Sequence, residues 1–414
     1  MGNTLVRLLT PSIMLVCTLF SAPSLAQSAE APIAAKSAAP VTPYAEIRYR
    51  LELVDQDGLS ENATASTIRV RAGLKTAAWH GLSILVEGEA ILNLGAERFN
   101  DTVNGLARFP VVADPEDVLL NQAYVRWKPD GRVELTGGRQ AVNLDNQRWI
   151  GSVGWRQNDQ TLDAARLTLK PVKGLTADYI YAWRVNRVFG PDSPQGIWRD
   201  NDIHGLRVGY RVGSFGTVSG YGYWLDIPAA PAASSRTLGV RLTGEQTLSK
   251  RIKLTYAAEY ARQNSHGGNP LSFGHDYWLI EPGIATGSLT IKGGYELLDG
   301  DGRSALQTPL ATLHSFNGWA DKFLTTPVNG LQDIYADLGY KLNKPGPLKG
   351  TAFRLVYHDY RSARLGIGYG SEWDASLSYP LHPHVTALAK LARYNANRFA
   401  TDTTKVWFSV DAHF

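Results

Sequence analysis

Thr64-Ala65-Ser66-Thr67-Ile68-Arg69-Val70-Arg71-Ala72-Gly73-Leu74-Lys75-Thr76, TASTIRVRAGLKT at residues 64–76, repeats with a period of two. Ile68, Val70, Ala72 and Leu74 share one face, and Thr67, Arg69, Arg71 and Lys75 share the other. That is a strand with one apolar and one charged side. Residues 82–94 do the same, with Leu82, Ile84, Val86, Ala90 and Leu92 against Ser83, Glu87, Glu89 and Asn93. In 174–186, Leu175, Ala177, Tyr179, Tyr181 and Trp183 oppose Asp178 and Arg184.

Extended along the chain, the same pattern gives eighteen strands, the others near 44–54, 119–128, 131–140, 161–170, 203–212, 215–226, 236–247, 250–263, 275–284, 287–299, 330–341, 350–360, 370–379, 384–394 and 404–414. Each is about ten residues, the length of a tilted membrane strand. The connections alternate. Short turns such as Pro129-Asp130-Gly131 and Gly213-Ser214 separate longer loops near 95–118, 141–160, 187–202, 264–274, 300–329 and 395–403. The expected fold is therefore all-β, a transmembrane antiparallel β-barrel of about 18 strands with 16 as the alternative. An even count leaves both termini in the periplasm. The 19 Tyr, 11 Trp and 40 Gly agree with a barrel, because aromatic rings gather at both membrane interfaces while lipid-facing and lumen-facing residues average to a weakly polar chain.

Residues 1–26 carry Arg7, the apolar stretch Ile13 to Phe20 and the small-residue end Ser24-Leu25-Ala26, the layout of a secretory signal peptide cleaved after Ala26. The apolar run falls short of the roughly 18 residues of a spanning helix. The only cysteine, Cys17, lies inside this segment, so the mature chain has no disulfide, thiolate metal site or cysteine nucleophile. Residues 27–43, QSAEAPIAAKSAAPVTP, read as a disordered periplasmic leader, and the barrel is expected over 44–414. The final strand sets Val406, Phe408, Val410, Ala412 and Phe414 on one face and Lys405, Ser409, Asp411 and His413 on the other. An amphipathic last strand ending in Phe resembles the signal read by the outer-membrane assembly machinery. The expected location is the outer membrane of a Gram-negative bacterium, with outer-membrane lipids around the barrel.

Residues 308–324, TPLATLHSFNGWADKFL, with Thr326-Pro327 and Gly330-Leu331, are the most distinctive stretch of the chain. Beside it stand Gly138-Arg139-Gln140, Gln147-Arg148-Trp149-Ile150-Gly151, Trp155-Arg156-Gln157-Asn158, Asp163, Tyr357-His358-Asp359-Tyr360 and Tyr369-Gly370-Ser371-Glu372-Trp373-Asp374. In these segments the chain resembles the alginate-export outer-membrane family. The resemblance implies a monomeric barrel, commonly of eighteen strands, with an arginine-rich lumen that conducts a polyuronate. The cargo expected from it is an anionic polysaccharide or oligosaccharide, with a porin for small polar or anionic solutes as the alternative.

Arg or Lys on the lipid face costs roughly 2–4 kcal/mol at the midplane, so charged residues of the strands should point inward. These include Arg48, Arg50, Arg69, Arg71, Lys75, Arg126, Arg166, Arg184, Arg241, Lys253 and Arg354, against Glu46, Glu52, Glu87, Glu89, Glu134, Asp178, Glu245, Glu259, Asp337, Glu372 and Asp374. The near balance matches a net charge of +4. Arg48, Arg50, Arg69 and Arg71 lie on neighbouring strands and form a candidate basic ladder, suited to carboxylates through bidentate hydrogen bonds. The alternative is that nearby glutamates pair with them to brace the wall. The candidate conduit is Arg48, Arg50, Arg69, Arg71, Arg126, Arg148, Arg156, Arg166, Arg354, Glu372 and Asp374. In the long segment 300–329, His314, Asn317, Trp319, Asp321 and Lys322 are candidates for cargo contact or gating at the extracellular mouth.

A barrel hydrolase is the rival class, but His358 and Asp359 are strand neighbours that point to opposite faces, and His80 and His413 have no evident nucleophile. No catalytic residue is assigned. Asp299-Gly300-Asp301-Gly302 lacks the further acidic ligands of a calcium loop and reads as a turn. Gly366, Gly368 and Gly370 have no following helix to receive a phosphate. No metal, cofactor or nucleic acid is expected.

Overall fold

The computed structural model describes residues 40–414; the signal peptide expected at 1–26 and most of the leader expected at 27–43 lie outside the described residues. The strands are β1 (Val41–Gln56), β2 (Ala63–Thr76), β3 (Leu82–Asn93), β4 (Asp117–Trp127), β5 (Val133–Gln140), β6 (Thr161–Leu169) and β7 (Leu175–Asn186). After the two-residue β8 (Ile197–Trp198) come β9 (Asp202–Val212), β10 (Gly216–Asp226), β11 (Ser235–Thr247), β12 (Ile252–Ser265), β13 (Gly274–Thr286) and β14 (Leu289–Leu298). The chain ends with β15 (Leu331–Lys341), β16 (Ala352–Arg361), β17 (Gly368–His382), β18 (Val385–Ala396) and β19 (Thr403–His413).

Each of the eighteen expected strands is present within a few residues of its expected bounds. The extra one, β8, pairs only with Val185 and Asn186 of β7 and belongs to the loop before β9. The barrel proper is a closed antiparallel ring of eighteen strands, each bonded to its neighbours in sequence, with β7 joined directly to β9. β1 closes the ring against β19 in a register that sets Tyr49 opposite Val410 and Leu51 opposite Phe408. Closure removes the unpaired edges that an open sheet would expose. One boundary shifts: Val41, Thr42 and Pro43 pair with Thr76, Lys75 and Leu74, so the first strand takes up the last three residues assigned to the leader. Pro43 is tolerated near the start of a strand, where it removes few ladder bonds.

The alternation places the apolar face outward. Val70, Leu74, Ile84, Val86, Leu92, Phe408 and Val410 are exposed apolar residues of the outer wall. Trp127, Tyr210, Phe215, Tyr340 and Phe353 ring the edge that carries the short turns, and Trp183, Trp278 and Trp373 lie toward the opposite edge, as two interface belts require. Every inward charged residue expected from the strand pattern is buried or half-buried.

The core of this protein lies inside the ring. Loops 141–160 and 299–330 turn into the lumen and pack on each other, bringing Val142, Leu144, Ile150, Trp155, Leu306, Leu310, Trp319 and Phe323 into one buried cluster with wall residues such as Tyr277, Tyr360, Tyr394 and Trp407. The two loops are stitched by a parallel bridge between Ile150 and Leu310 and by a bond from Thr312 N to the Gln147 carbonyl of 3.0 Å. At Gly318 (φ +87°) the chain runs so close to the wall that a Cβ would collide with the Glu372 carboxylate and the Tyr360 hydroxyl. Only glycine meets both the left-handed backbone and the missing space.

Candidate functional site

The inward loops and the wall they rest on contain most of the candidate residues. Loop 141–160 is held at both ends. Arg148, almost fully buried, forms an ion pair with Glu296 at 3.0 Å and donates Nη2 to Asn317 Oδ1 at 3.1 Å. Trp149 Nε1 donates to Glu259 at 2.7 Å. Arg156 lies among three carboxylates, those of Glu52 at 3.2 Å, Asp114 at 3.7 Å and Asp321 at 3.3 Å.

The four arginines of the ladder form the bed beneath residues 154–159. Arg48 Nη1 donates to the carbonyls of Gly154 and Arg156 at 3.0 and 3.3 Å, and its Nε pairs with Asp411 at 2.5 Å. Arg50 lies under the indole of Trp155, its guanidinium carbon 4.1 Å from the ring centroid, with Asp114 at 4.0 Å. Arg69 donates to the Gln157 carbonyl at 3.3 Å and pairs with Glu46 at 3.5 Å. Arg71 pairs with Glu89 and, at 2.8 Å, with Asp159. All four are at most 5% exposed. Protein carboxylates and loop carbonyls thus surround the guanidinium groups of the candidate ladder, the bracing arrangement that stood as its alternative. Strand parity is satisfied, but what meets these side chains in the lumen is folded chain. The bracing glutamates are only part of the set, since Asp114, Asp159 and Asp411 join Glu46 and Glu89.

Loop 299–330 is fixed by the opposite polarity, backbone N–H groups on wall carboxylates. Ala320 N donates to Glu372 Oε1 at 2.6 Å and Trp319 N to Asp374 Oδ2 at 3.2 Å. Glu372 and Asp374 are fully buried under the loop, so their part in the structure is to anchor it. Asn317, in the left-handed region with φ 54°, donates to Glu296 at 2.6 Å and Asp333 at 3.0 Å. Asp321 accepts from Lys405 at 2.7 Å and from His314 Nδ1 at 2.7 Å. Burial raises the Asp321 carboxyl, but His314, Lys405 and Arg156 outweigh it and hold it well below the usual carboxylate range. Lys322, on the loop's margin, donates to Gln56 at 3.1 Å. The long segment thus lies inside the barrel, the inward form of the expected arrangement, and His314, Asn317, Trp319 and Asp321 are all turned to loop packing.

Arg126, Arg166 and Arg354 stand apart. Each is more than a quarter exposed and is paired on the wall, with Glu134 at 3.3 Å, Asp178 at 2.8 Å and Asp337 at 3.0 Å respectively. They lie on the half of the wall nearer the short turns and are the candidate conduit residues left facing open lumen.

Sequence reasoning missed Lys390, Lys405, Asp114, Asp333 and Trp407, all buried at the loop–wall contact. Lys390 and Lys405 fall on the inward parity of their strands, which was a readable signal. Asp114 lies in a loop and had none. His358 gives Nδ1 to Asp333 at 2.9 Å and lies 3.8 Å from Asp374, on the side of the strand away from Asp359. The Asp301 carboxylate accepts from the Arg303 and Ser304 amides at 2.8 Å, which is the turn its sequence suggested.

An eighteen-stranded closed barrel with apolar outer wall, aromatic belts and a charged lumen is an outer-membrane channel. The sequence profile for alginate export matches residues 45–308, and the chain belongs to that family of Gram-negative outer-membrane proteins. Among curated proteins none matches the chain. Similar solved structures include OpdL of Pseudomonas aeruginosa, with TM-score 0.69 and 17% identity over 90% of this chain and 98% of that one. OccAB4 of Acinetobacter baumannii gives 0.71 and 14% over 91% and 98%. OpdK of Pseudomonas aeruginosa, in a structure with vanillate, gives 0.71 and 13% over 90% and 98%. At these identities the likeness is one of fold. Family and fold together indicate a channel rather than an enzyme.

Proposed function

We propose that this channel passes anionic solutes, an acidic saccharide of the polyuronate kind being the first candidate, taken in at the periplasmic mouth. The observation that carries the reading is the charge of the two rims. The eight short connections contain Lys128, Arg132, Lys170, Lys173, Lys250, Arg251, Lys344 and Lys349 against the single acid Asp130. The nine connections at the other end contain fourteen acidic and ten basic residues, five and four of them in the two inward loops, so the rest of that rim remains net acidic. Short turns are the periplasmic ones in outer-membrane barrels. A basic mouth raises the local concentration of anions and repels cations before either reaches the narrowed lumen. Family membership supports a saccharide as cargo and the direction of export.

A second reading, diffusion of small acidic or polar solutes, is favoured by the two inward loops, which pack together against the wall and fill part of the lumen. The vanillate in the similar OpdK structure is a small acid of that kind.

The test is the reversal potential of the purified channel in planar bilayers under a salt gradient, with uronate oligomers added to each side in turn. Anion preference, strongest at low salt, with stronger block from the periplasmic side, is expected because screening acts over only about 8 Å at physiological ionic strength. Cation preference in the wild type would remove the reading.

A further inference from the structure

A cavity of about 170 Å³ lies directly beneath the two inward loops, on the side of the short turns. Its ceiling, made by the two inward loops, sets the indoles of Trp155 and Trp319 beside the polar side chains of Gln147, Ser152, Thr312 and Ser315, and Leu388 adds an apolar side chain on β18 of the wall. Its wall holds Arg354, Ser376 and Lys390, which stand in one register row on β16, β17 and β18. Neighbouring strands are about 4.8 Å apart, so the row spans about 10 Å, the scale of one small molecule.

The three wall residues are not equivalent. Lys390 Nζ is caged, 3.8 Å from the Trp155 ring centroid, 3.9 Å from that of Trp319 and 2.8 Å from His314 Nε2. Its nitrogen is engaged above, so Lys390 bounds the end of the row and Arg354 is the cation that faces the cavity. Arg354 uses Nε and Nη2 on Asp337, at 3.1 and 3.0 Å, and Nη1 takes no part in that pair. Its guanidinium carbon is 5.5 Å from the Trp319 ring centroid. Ser376 supplies a hydroxyl between Arg354 and Lys390.

We propose that this cavity is a binding site for a single ring-bearing carboxylate, its carboxylate on Arg354 Nη1 and the Ser376 hydroxyl and its ring between Trp319 of the ceiling and Leu388 of the wall. The proposal rests on the anion-channel reading and adds a place, a stoichiometry and a face of entry. A guanidinium N–H and a hydroxyl complement a carboxylate. Indole faces pack against planar aromatic rings and against the C–H face of a sugar. A small inorganic anion would leave the ceiling unused, and a neutral ring would leave Arg354 Nη1 without an acceptor. Two ligand sources share this chemistry, an aromatic acid and a hexuronate.

Calorimetric titration of the purified full-length protein in detergent at low salt separates them, with vanillate and galacturonate as probes and acetate and vanillyl alcohol as controls. At least one ring acid is expected to bind about tenfold tighter than acetate, a difference of about 1.4 kcal/mol, and vanillyl alcohol to bind no better than acetate. Binding of vanillate alone assigns the aromatic source; binding of galacturonate alone assigns the uronic one. Ser376→Leu fills the space between Arg354 and Lys390 without touching the Arg354–Asp337 pair, and Arg354→Gln removes the charge. Both should lose about tenfold in affinity or more. If the second destabilises the barrel, the first still decides. Ring acids binding no tighter than acetate, or binding Ser376→Leu unchanged in a heat-modifiable barrel, would overturn the proposal. Calorimetry needs no current, so absence of salt conductance in bilayers would defeat the channel reading while leaving this site standing.

Discussion

Lys390 Nζ lies 2.8 Å from His314 Nε2, and the contact joins the barrel wall to the inward loop through a neutral imidazole. An ionised carboxylate can only accept, so the ring proton sits on Nδ1, where it bonds Asp321, and Nε2 faces Lys390 as the acceptor. The same imidazole stacks on Trp155 of the other inward loop at 4.5 Å and meets Trp407 of the wall edge-on. One side chain therefore ties both loops to β18 and β19.

This arrangement makes loop docking sensitive to acid. Burial, with the neighbouring charges of Lys390 and Arg156, pushes His314 down to about 3 despite the opposing pull of Asp321. Lys405 also faces Asp321 and holds it ionised. Because the docked form binds a proton less readily than the released form, docking is strongest above the ordinary histidine range near pH 6.5 and weakens as pH falls below it. At pH 4.5 the docking equilibrium should shift by about 100-fold toward release. Single-channel conductance of the wild type is expected to rise or become noisy between pH 6.5 and 4.5, whereas His314→Gln should show no such step. A wild-type trace flat across that interval would show that the imidazole is not a latch.

Replacing Arg48, Arg50, Arg69 and Arg71 together with Gln should act on the loop more than on selectivity. The replacements strip charge partners from Asp114, Asp159, Asp411, Glu46 and Glu89, most of them buried. Removing one side of a buried ion pair typically costs about 3–5 kcal/mol. Residues 154–159 are expected to lose their seat, giving larger and more variable conductance with the sign of the reversal potential unchanged. A quiet channel with reversed selectivity would return these arginines to the role of an ion-facing ladder.

Deleting residues 311–323 should raise conductance as well, because the segment fills the lumen with Trp319, Ala320 and Phe323, each buried against the wall. The deletion also leaves Glu372 and Asp374 without the Ala320 and Trp319 amides. A barrel that assembles normally yet conducts as the wild type would mean that the current passes elsewhere than around this loop.

The strands were legible because lipid enforces period two on every one of them; Val70 and Leu74 outward with Arg69 and Arg71 inward leaves no second register. The same rule is silent on what fills the lumen at a given height. Arg69 and Arg354 have the same strand parity, yet one is sealed under Gln157 and the other borders a cavity. Nothing local to Trp149 or Trp155 marks them as interior, since their partners Glu259 and Lys390 are more than a hundred residues away. The family-like segments were a usable signal read too narrowly. Arg148 holds Asn317, Arg156 holds Asp321, and Glu372 and Asp374 hold the Ala320 and Trp319 amides, so these segments anchor the two inward loops.

The lipid face of β19 gives a test independent of the lumen. Phe408 and Val410 are exposed on the outer wall and sit opposite Leu51 and Tyr49 across the closing seam with β1. Lysine at either position would place an ammonium against hydrocarbon at a cost of roughly 2–4 kcal/mol near the midplane, less toward the interface. The double replacement carries both penalties on the strand that must close the ring, and it also breaks the apolar face that ends at Phe414. Heat-modifiable barrel should then be lost from outer-membrane fractions, with unfolded chain left in the periplasm. The lumen-facing Ser409→Lys on the same strand is the control for charge alone: it avoids lipid, although it brings a cation opposite Arg50. If Phe408→Lys with Val410→Lys assembled as well as Ser409→Lys, the outward assignment of β19 would be wrong and with it the register of the seam.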